Sequence, residues 1–137
     1  MYNWKLSVFN KLDSTNNEAL RRVSSSDESG EVILAYRQTM GKGRAGREWV
    51  SCYGNLMMTA TIAIEERQRM SDLAFVGAVA VTEAVNELLP QESRAEIKWP
   101  NDLMVGNRKL GGMLIEVSSR PLIAALGIGL NLENAPK

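Results

Sequence analysis

Gly41-Lys42-Gly43-Arg44-Ala45-Gly46-Arg47-Glu48-Trp49 is the stretch on which the fold turns. Its glycines satisfy the pattern G-x-G-x-x-G, and a strand-like run, Val32-Ile33-Leu34-Ala35-Tyr36, precedes it. A dinucleotide-binding turn would need a helix opening at the third glycine, with a pyrophosphate on its N-terminus. The residues that follow, Arg47 to Gly54, show no 3.6-residue period and read as loop. A P-loop is excluded too, because Gly41-Lys42 is followed by Gly43 and not by Ser or Thr. Three glycines alternating with Lys42, Arg44 and Arg47 still describe a backbone that approaches an anion closely, with cations around it. Arginine suits planar, bidentate contact with phosphate or carboxylate. A solvated loop and an RNA-contacting loop are the alternatives at this point.

Outward from the loop, the pattern is mixed. Alternation in Trp4–Phe9 predicts a first strand, and Asp13-Ser14-Thr15-Asn16 offers N-caps for a short helix through Leu20. That helix is expected to end before the Ser24-Ser25-Ser26-Asp27 loop. Asn55 to Ile64 reads as a long strand. Ser71 to Leu89 is the strongest helix, capped by Ser71 and stopped by Pro90, with Leu73, Val76, Ala80, Ala84 and Leu88 on its apolar face. Gly77 weakens it by about 1 kcal/mol relative to alanine. Glu96–Trp99, Leu103–Val105, Leu110–Val117 and Leu122–Leu130 then predict a run of hairpin-like strands separated by turn residues. The layout is α+β: one mixed sheet covered by the long helix and shorter pieces. Met40, Met57, Met58, Met104 and Met113 are read as core filler.

Composition narrows the chemistry. The 137 residues are the size of one domain, and 16 basic residues balance 16 acidic ones, so no net field steers the chain toward DNA or anionic lipid. No run is long and apolar enough for a membrane span, and Met1-Tyr2-Asn3-Trp4-Lys5 does not read as a secretory signal. The lone Cys52 forms no internal disulfide and fits a reducing cytoplasm. With no histidine, Ser-His-Asp and Cys-His nucleophiles are excluded, as are zinc sites built on histidine. The reaction must run on carboxylates, lysines, arginines and backbone amides.

Three further clusters carry information. Lys98-Trp99-Pro100-Asn101-Asp102 predicts a tight corner with Lys98 and Asp102 on either side. Lys109-Leu110-Gly111-Gly112-Met113-Leu114-Ile115-Glu116 places a double glycine inside an apolar strand, and Gly127-Ile128-Gly129-Leu130-Asn131 repeats the idea. Such glycines mark bulges or close approach by a ligand or another backbone.

With Ser14-Thr15-Asn16 and Gln38-Thr39, these clusters in this order resemble the catalytic domain of biotin protein ligases, over Asp13 to Asn131. The resemblance implies a sheet with helices on one side, a fold shared with lipoate ligases and similar to class II aminoacyl-tRNA synthetases. It implies an ATP-dependent ligase that forms biotinyl-5′-AMP and passes biotin to a lysine of the biotin carboxyl carrier domain of acetyl-CoA carboxylase. ATP, biotin and Mg²⁺ are the ligands it implies, and a homodimer made by sheet-edge pairing is implied by the family alone. Biotin-binding residues would be Ser14, Thr15, Asn16, Gln38, Gly41, Lys42, Gly43, Gly112, Leu114, Gly127 and Leu130. Nucleotide-side residues would be Arg44, Arg47, Trp49, Asn101, Lys109 and Asn131, and the catalytic set Arg44, Lys109, Lys98 and Asp102. Asp102 would either orient the incoming lysine or help hold the metal; no metal ligand set is identified.

The implied chemistry suits a histidine-free site, since a carboxylate attacking the α-phosphate is already ionised at pH 7 and needs no general base. It needs two anions brought together and the growing phosphoryl charge stabilised, the task of Arg44, Lys109 and Mg²⁺. The sequence departs from the family at Lys42, usually arginine, which keeps the charge but loses the fork geometry. No N-terminal winged helix and no C-terminal β-barrel segment is evident in residues 1–137, so the catalytic domain is expected to be truncated at its C-terminus. A lipoate or octanoate ligase, and a binding module without turnover, are the competing readings.

Overall fold

The computed structural model describes residues 3–26, 28–66, 69–119 and 121–135; Met1, Tyr2 and Asp27, named above, lie outside them. Seven strands form one mixed sheet: β1 (Lys5–Phe9), β2 (Glu31–Ala35), β3 (Leu56–Ala63), β4 (Ala95–Lys98), β5 (Asp102–Val105), β6 (Arg108–Val117) and β7 (Ile123–Leu130). Their spatial order is β1-β2-β3-β7-β6-β5-β4. Only β1 and β2 run parallel among these neighbours, which the intervening helix α1 (Thr15–Ser26) makes possible. The chain then crosses to the far edge through α2 (Met70–Leu88) and returns as an antiparallel meander to pair β7 with β3. Gly106 at φ +55° in the two-residue loop Gly106-Asn107 closes the β5–β6 hairpin, the left-handed geometry that favours glycine.

The helices lie on opposite faces, unlike the one-sided cover that the resemblance implied. Successive residues of β7 decide this, since neighbours on a strand point to opposite faces. Ala125 packs with Ala19 of α1 and Ile33, while Leu126 and Leu130 pack with Ala78 of α2, Leu103 and Met113. Gly77 of α2 rests against Leu126, whose Cδ2 would be 3.1 Å from an added Cβ. The glycine that weakens the helix locally is therefore where it approaches the sheet.

Four expectations need correction. Helix α1 continues through Ser26, so Ser24 to Ser26 are helical and not loop; their hydroxyls donate to carbonyls one turn back, Leu20 O and Arg22 O. Helix α2 begins at Met70 after Arg69, with no side-chain cap, so Ser71 is inside it. Its buried side is Gly77 and Ala78 with half-buried Val81 and Val85, whereas Val76, Ala80, Ala84 and Leu88 face outward. Both stripes are apolar, and the narrower side chains win the contact because they let the helix axis sit close to the sheet. Met40, read as core, is exposed; Met57 and Met113 are buried. Among the described residues, no helix is long and apolar enough to cross a membrane.

Candidate functional site

The N-terminus of α1 brings the first part of the site to the middle of the sheet. Ser14 O accepts from the Glu18 amide and Ser14 Oγ lies 3.5 Å from the Asn17 amide, so the helix starts at Thr15. Asp13, just outside, accepts from Arg21 at 2.7 and 3.0 Å and from Asn17 Nδ2 at 2.8 Å. The Arg21 guanidinium holds the Asp13 carboxyl well below the usual carboxylate range, and the hydrogen bond from Arg22 lowers Glu18 from its ordinary value. Ser14, Thr15 and Asn16 are thereby fixed, each at most 4% exposed.

Buried polar groups need partners, and these have them. Gln38 Oε1 accepts from the Thr15 amide at 2.8 Å. Thr59 Oγ1, on the adjacent strand β3, is 2.8 Å from Thr15 Oγ1 and 2.6 Å from Asn16 Oδ1. Asn16 Nδ2 donates to Glu116 at 2.9 Å and toward Leu114 O at 3.4 Å. Asn16 fits only because Gly127 opposite has no side chain.

The loop at 41–49 closes over this floor. It is a narrow two-ended strap: Lys42 bridges Glu48, the Trp49 amide donates to Gly41 O, and the Gly43 amide donates to Arg47 O. Between them, Arg44–Gly46 makes one 3₁₀ turn, with Ala45 at φ 55° and Gly46 at φ 71°. Because the amides of Gly43, Arg47 and Trp49 bond within the loop, anion contact there falls largely to side chains. Trp49 lies across β6 and β7, where any Cβ on Gly129 would meet its indole ring at 2.5 Å. A Cβ on Gly112 would find the same ring at 3.5 Å. The paired glycines thus admit Trp49 and Asn16, side chains of the protein itself.

Three cations stand at the mouth. Lys109 Nζ pairs with Asp102 at 2.8 Å and sits 5.7 Å from the centre of a Trp49 ring. Arg44 donates to Asn101 Oδ1 at 3.0 Å, and Asn101 is itself tied to β6 through Met113 N (2.9 Å) and Met113 O (3.1 Å). Arg47 lines the same cavity. Lys42 also borders the cavity, with its ammonium paired to Glu116 at 3.1 Å.

Together these groups enclose a cavity of about 140 Å³. Of the residues predicted from sequence, Ser14, Thr15, Asn16, Gln38, Lys42, Gly43, Arg44, Arg47, Trp49, Asn101, Lys109, Gly112, Leu114 and Gly127 line it. Gly41 is buried behind the strap, where a Cβ would strike Trp49 O. Asp102 stands behind Lys109. Lys98 is exposed beside Asp102 in the β4–β5 register, around a corner whose Trp99–Pro100 bond is cis. Leu130 points to the α2 face and belongs to the core. Asn131 leaves the sheet between Lys109 O and Asn55. Glu48, Met57, Met58, Met113, Ile128 and Gly129 also line the cavity and were not singled out. Gly129 shares the period-two face of Gly127, and Glu116 is a lone charge on the face of Gly112 and Leu114, so both carried a readable signal. A larger, mostly apolar cavity of about 320 Å³ adjoins the site behind Arg44 and Asn101, between Trp99 and the start of α2.

The model of the biotin/lipoate A/B protein ligase family matches residues 8–133. The biotin–acetyl-CoA-carboxylase ligase of Paracoccus denitrificans is 39% identical over 130 residues, covering 92% of this chain and 54% of that protein. The biotin protein ligase of Leishmania major in complex with biotinyl-5-AMP superposes with a TM-score of 0.85 at 26% identity, over 97% of this chain and 59% of that one. The Aquifex aeolicus ligase in complex with biotin and ATP gives 0.78 at 32% identity, over 97% and 55%. The chain thus spans about half the length of these relatives.

Proposed function

The chain belongs to the biotin/lipoate A/B protein ligase family, and from that premise we propose that it activates biotin with ATP and transfers the biotinyl group to a carrier lysine. The observation that carries the reading is one cavity with a buried hydrogen-bonding end and a cationic mouth. Thr15, Gln38 and Ser14 offer polar groups at the closed end, matched to a ureido ring. Gly112, Gly127, Gly129, Met57 and the Trp49 indole form a flat, mostly apolar wall suited to a fused bicycle and an alkyl chain. Arg44, Arg47 and Lys109 stand where a carboxylate and a triphosphate would meet.

On this reading the carboxylate oxygen of biotin attacks the α-phosphorus of ATP, the bond to the β-phosphate oxygen breaks, and pyrophosphate leaves. Lys109 is held by Asp102 and over Trp49, so its ammonium is positioned before the ligand arrives. Asn101 does the same for Arg44. In the second half-reaction a carrier lysine amine attacks the mixed anhydride and AMP leaves. Magnesium would come with the phosphates of ATP. Among the described residues no group of three or more His, Cys, Asp or Glu gathers to hold a metal, and Asp102 is engaged by Lys109. Magnesium that arrives on phosphates takes only one or two carboxylates from a protein, so a cluster of three is not required of this site. The proposed partners are the carrier domain of acetyl-CoA carboxylase and a second copy of the chain joined at an edge strand, β1 or β4. The proposed setting is the cytoplasm.

A ligand of the native state raises the unfolding midpoint. Biotin should therefore shift it and lipoate should not, and biotin with ATP and a carrier domain should yield biotinylated carrier. A shift with lipoate in place of biotin would mark a lipoate ligase. A biotin shift without biotinylated carrier would mark a binding module.

A further inference from the structure

Resting on the biotin reading above, we infer that Glu116 sets the hydrogen-bond polarity of the cavity's closed end, making the Thr15–Gln38 corner an acceptor of ligand N–H groups. A carboxylate only accepts, so Asn16 must turn Nδ2 toward it, as the 2.9 Å contact and the weaker one to Leu114 O require. Asn16 Oδ1 then faces Thr59 Oγ1 at 2.6 Å and can only accept, so Thr59 donates to Asn16. Thr15 Oγ1, 2.8 Å from Thr59, therefore donates to Thr59. At the far end Gln38 Oε1 is fixed as an acceptor by the Thr15 amide. Three oxygen–oxygen gaps thus run from Gln38 through Thr15 and Thr59 to Asn16, and two hydroxyls supply only two protons. The two shorter gaps take them. The 3.1 Å gap between Thr15 Oγ1 and Gln38 Oε1 is left with two acceptors and no proton.

That corner lines the cavity, and a ligand N–H placed there supplies the missing donor. A cyclic urea has such groups; a dithiolane ring has none. Glu116 is a positioning residue, acting through Asn16 and Thr59. Its ion pair with Lys42 ties the strap to the same device.

The test is biotin-dependent ATP–pyrophosphate exchange by the wild-type protein, E116Q, E116K, T59V and the charge swap K42E/E116K. Lysine at 116 can only donate, which reverses Asn16, Thr59 and Thr15 in turn. E116K should raise the KM for biotin roughly tenfold, the scale of a mismatched buried hydrogen bond, with kcat within about threefold. E116Q retains a carbonyl acceptor and should recover most of the loss. T59V, which does not line the cavity, should also raise the biotin KM, by releasing the Thr15 proton to Gln38. The charge swap should remain impaired. Restoration by the swap would show a simple ionic tether and overturn the inference, as would unchanged biotin KM in T59V, which tests the chain even if E116K does not fold. Wild-type protein without biotin-dependent exchange overturns the function itself, and this inference with it.

Discussion

Gly127→Ala places one methyl group where the structure has no room. The added Cβ would lie 3.0 Å from Asn16 Cγ, 3.2 Å from Nδ2 and closer still to Oδ1. Asn16 is 4% exposed and cannot step aside, because Thr59, Glu116 and Leu114 O hold both ends of its amide. Nor can β7, which is paired on both edges, by β3 and β6. One of two things must give. Expelling the amide loses a hydrogen bond to a carboxylate, worth about 1.5–3 kcal/mol, and one to a hydroxyl, worth about 1 kcal/mol. Keeping it in place overpacks the site at about 1–3 kcal/mol. The lesser route, overpacking, costs about 1–3 kcal/mol, which for a chain of this size lowers the unfolding midpoint by roughly 4–12 °C. Chemical denaturation of Gly127→Ala, Asn16→Ala and the double variant measures it. The double variant should be less destabilised than the sum of the single changes by at least about 1 kcal/mol. A Gly127→Ala protein within about 0.5 kcal/mol of wild type, or additive effects, would refute the packing argument.

Other consequences follow from the same structure. Leu103 is fully buried between α2 and β7, so Leu103→Ala should cost about 2–5 kcal/mol by denaturation while leaving the cavity wall untouched. The Asp13 carboxyl is held below its ordinary range by Arg21, so its folded pKa is depressed. Its contribution is complete above the unfolded value of about 3.9 and is lost as pH falls from there toward the folded value. Asp13→Asn should therefore cost about 0.5–1 kcal/mol at pH 7, the range of a largely exposed pair, and the difference should shrink in denaturation curves taken below pH 3 or so. Trp49→Ala removes the wall resting on Gly112 and Gly129; it should weaken biotin binding measured by calorimetry by roughly tenfold or more, on the scale of an aromatic anchor.

The order of elements and the gathering of the motifs were legible because they rest on local signals. Alternating residues marked β3 and β7, Gly106-Asn107 marked the β5–β6 turn, and the glycines of β6 and β7 marked close approach. What approaches them was not legible: Asn16 and Trp49 are far away in the chain, and only the folded sheet brings them there. The same holds for Lys42, whose partner Glu116 is 74 residues on. Leu130 illustrates a one-residue limit, since the cavity-lining position is its neighbour Gly129 and a single step on a strand reverses the face. In α2 the hydrophobic period identified a helix but not its buried side, because Val76 and Leu88 are as apolar as Val81 and Val85. Small residues at Gly77 and Ala78 were the better guide.

Exchange of labelled pyrophosphate into ATP tests the central claim most directly, because it reports adenylate formation without a carrier partner. The wild-type protein should catalyse exchange that requires biotin and is not supported by lipoate. Lys109→Ala, which removes the ammonium that Asp102 and Trp49 hold at the cavity mouth, should slow it on the order of 10²-fold or more. Exchange that proceeds without biotin, or that Lys109→Ala leaves intact, would contradict the account.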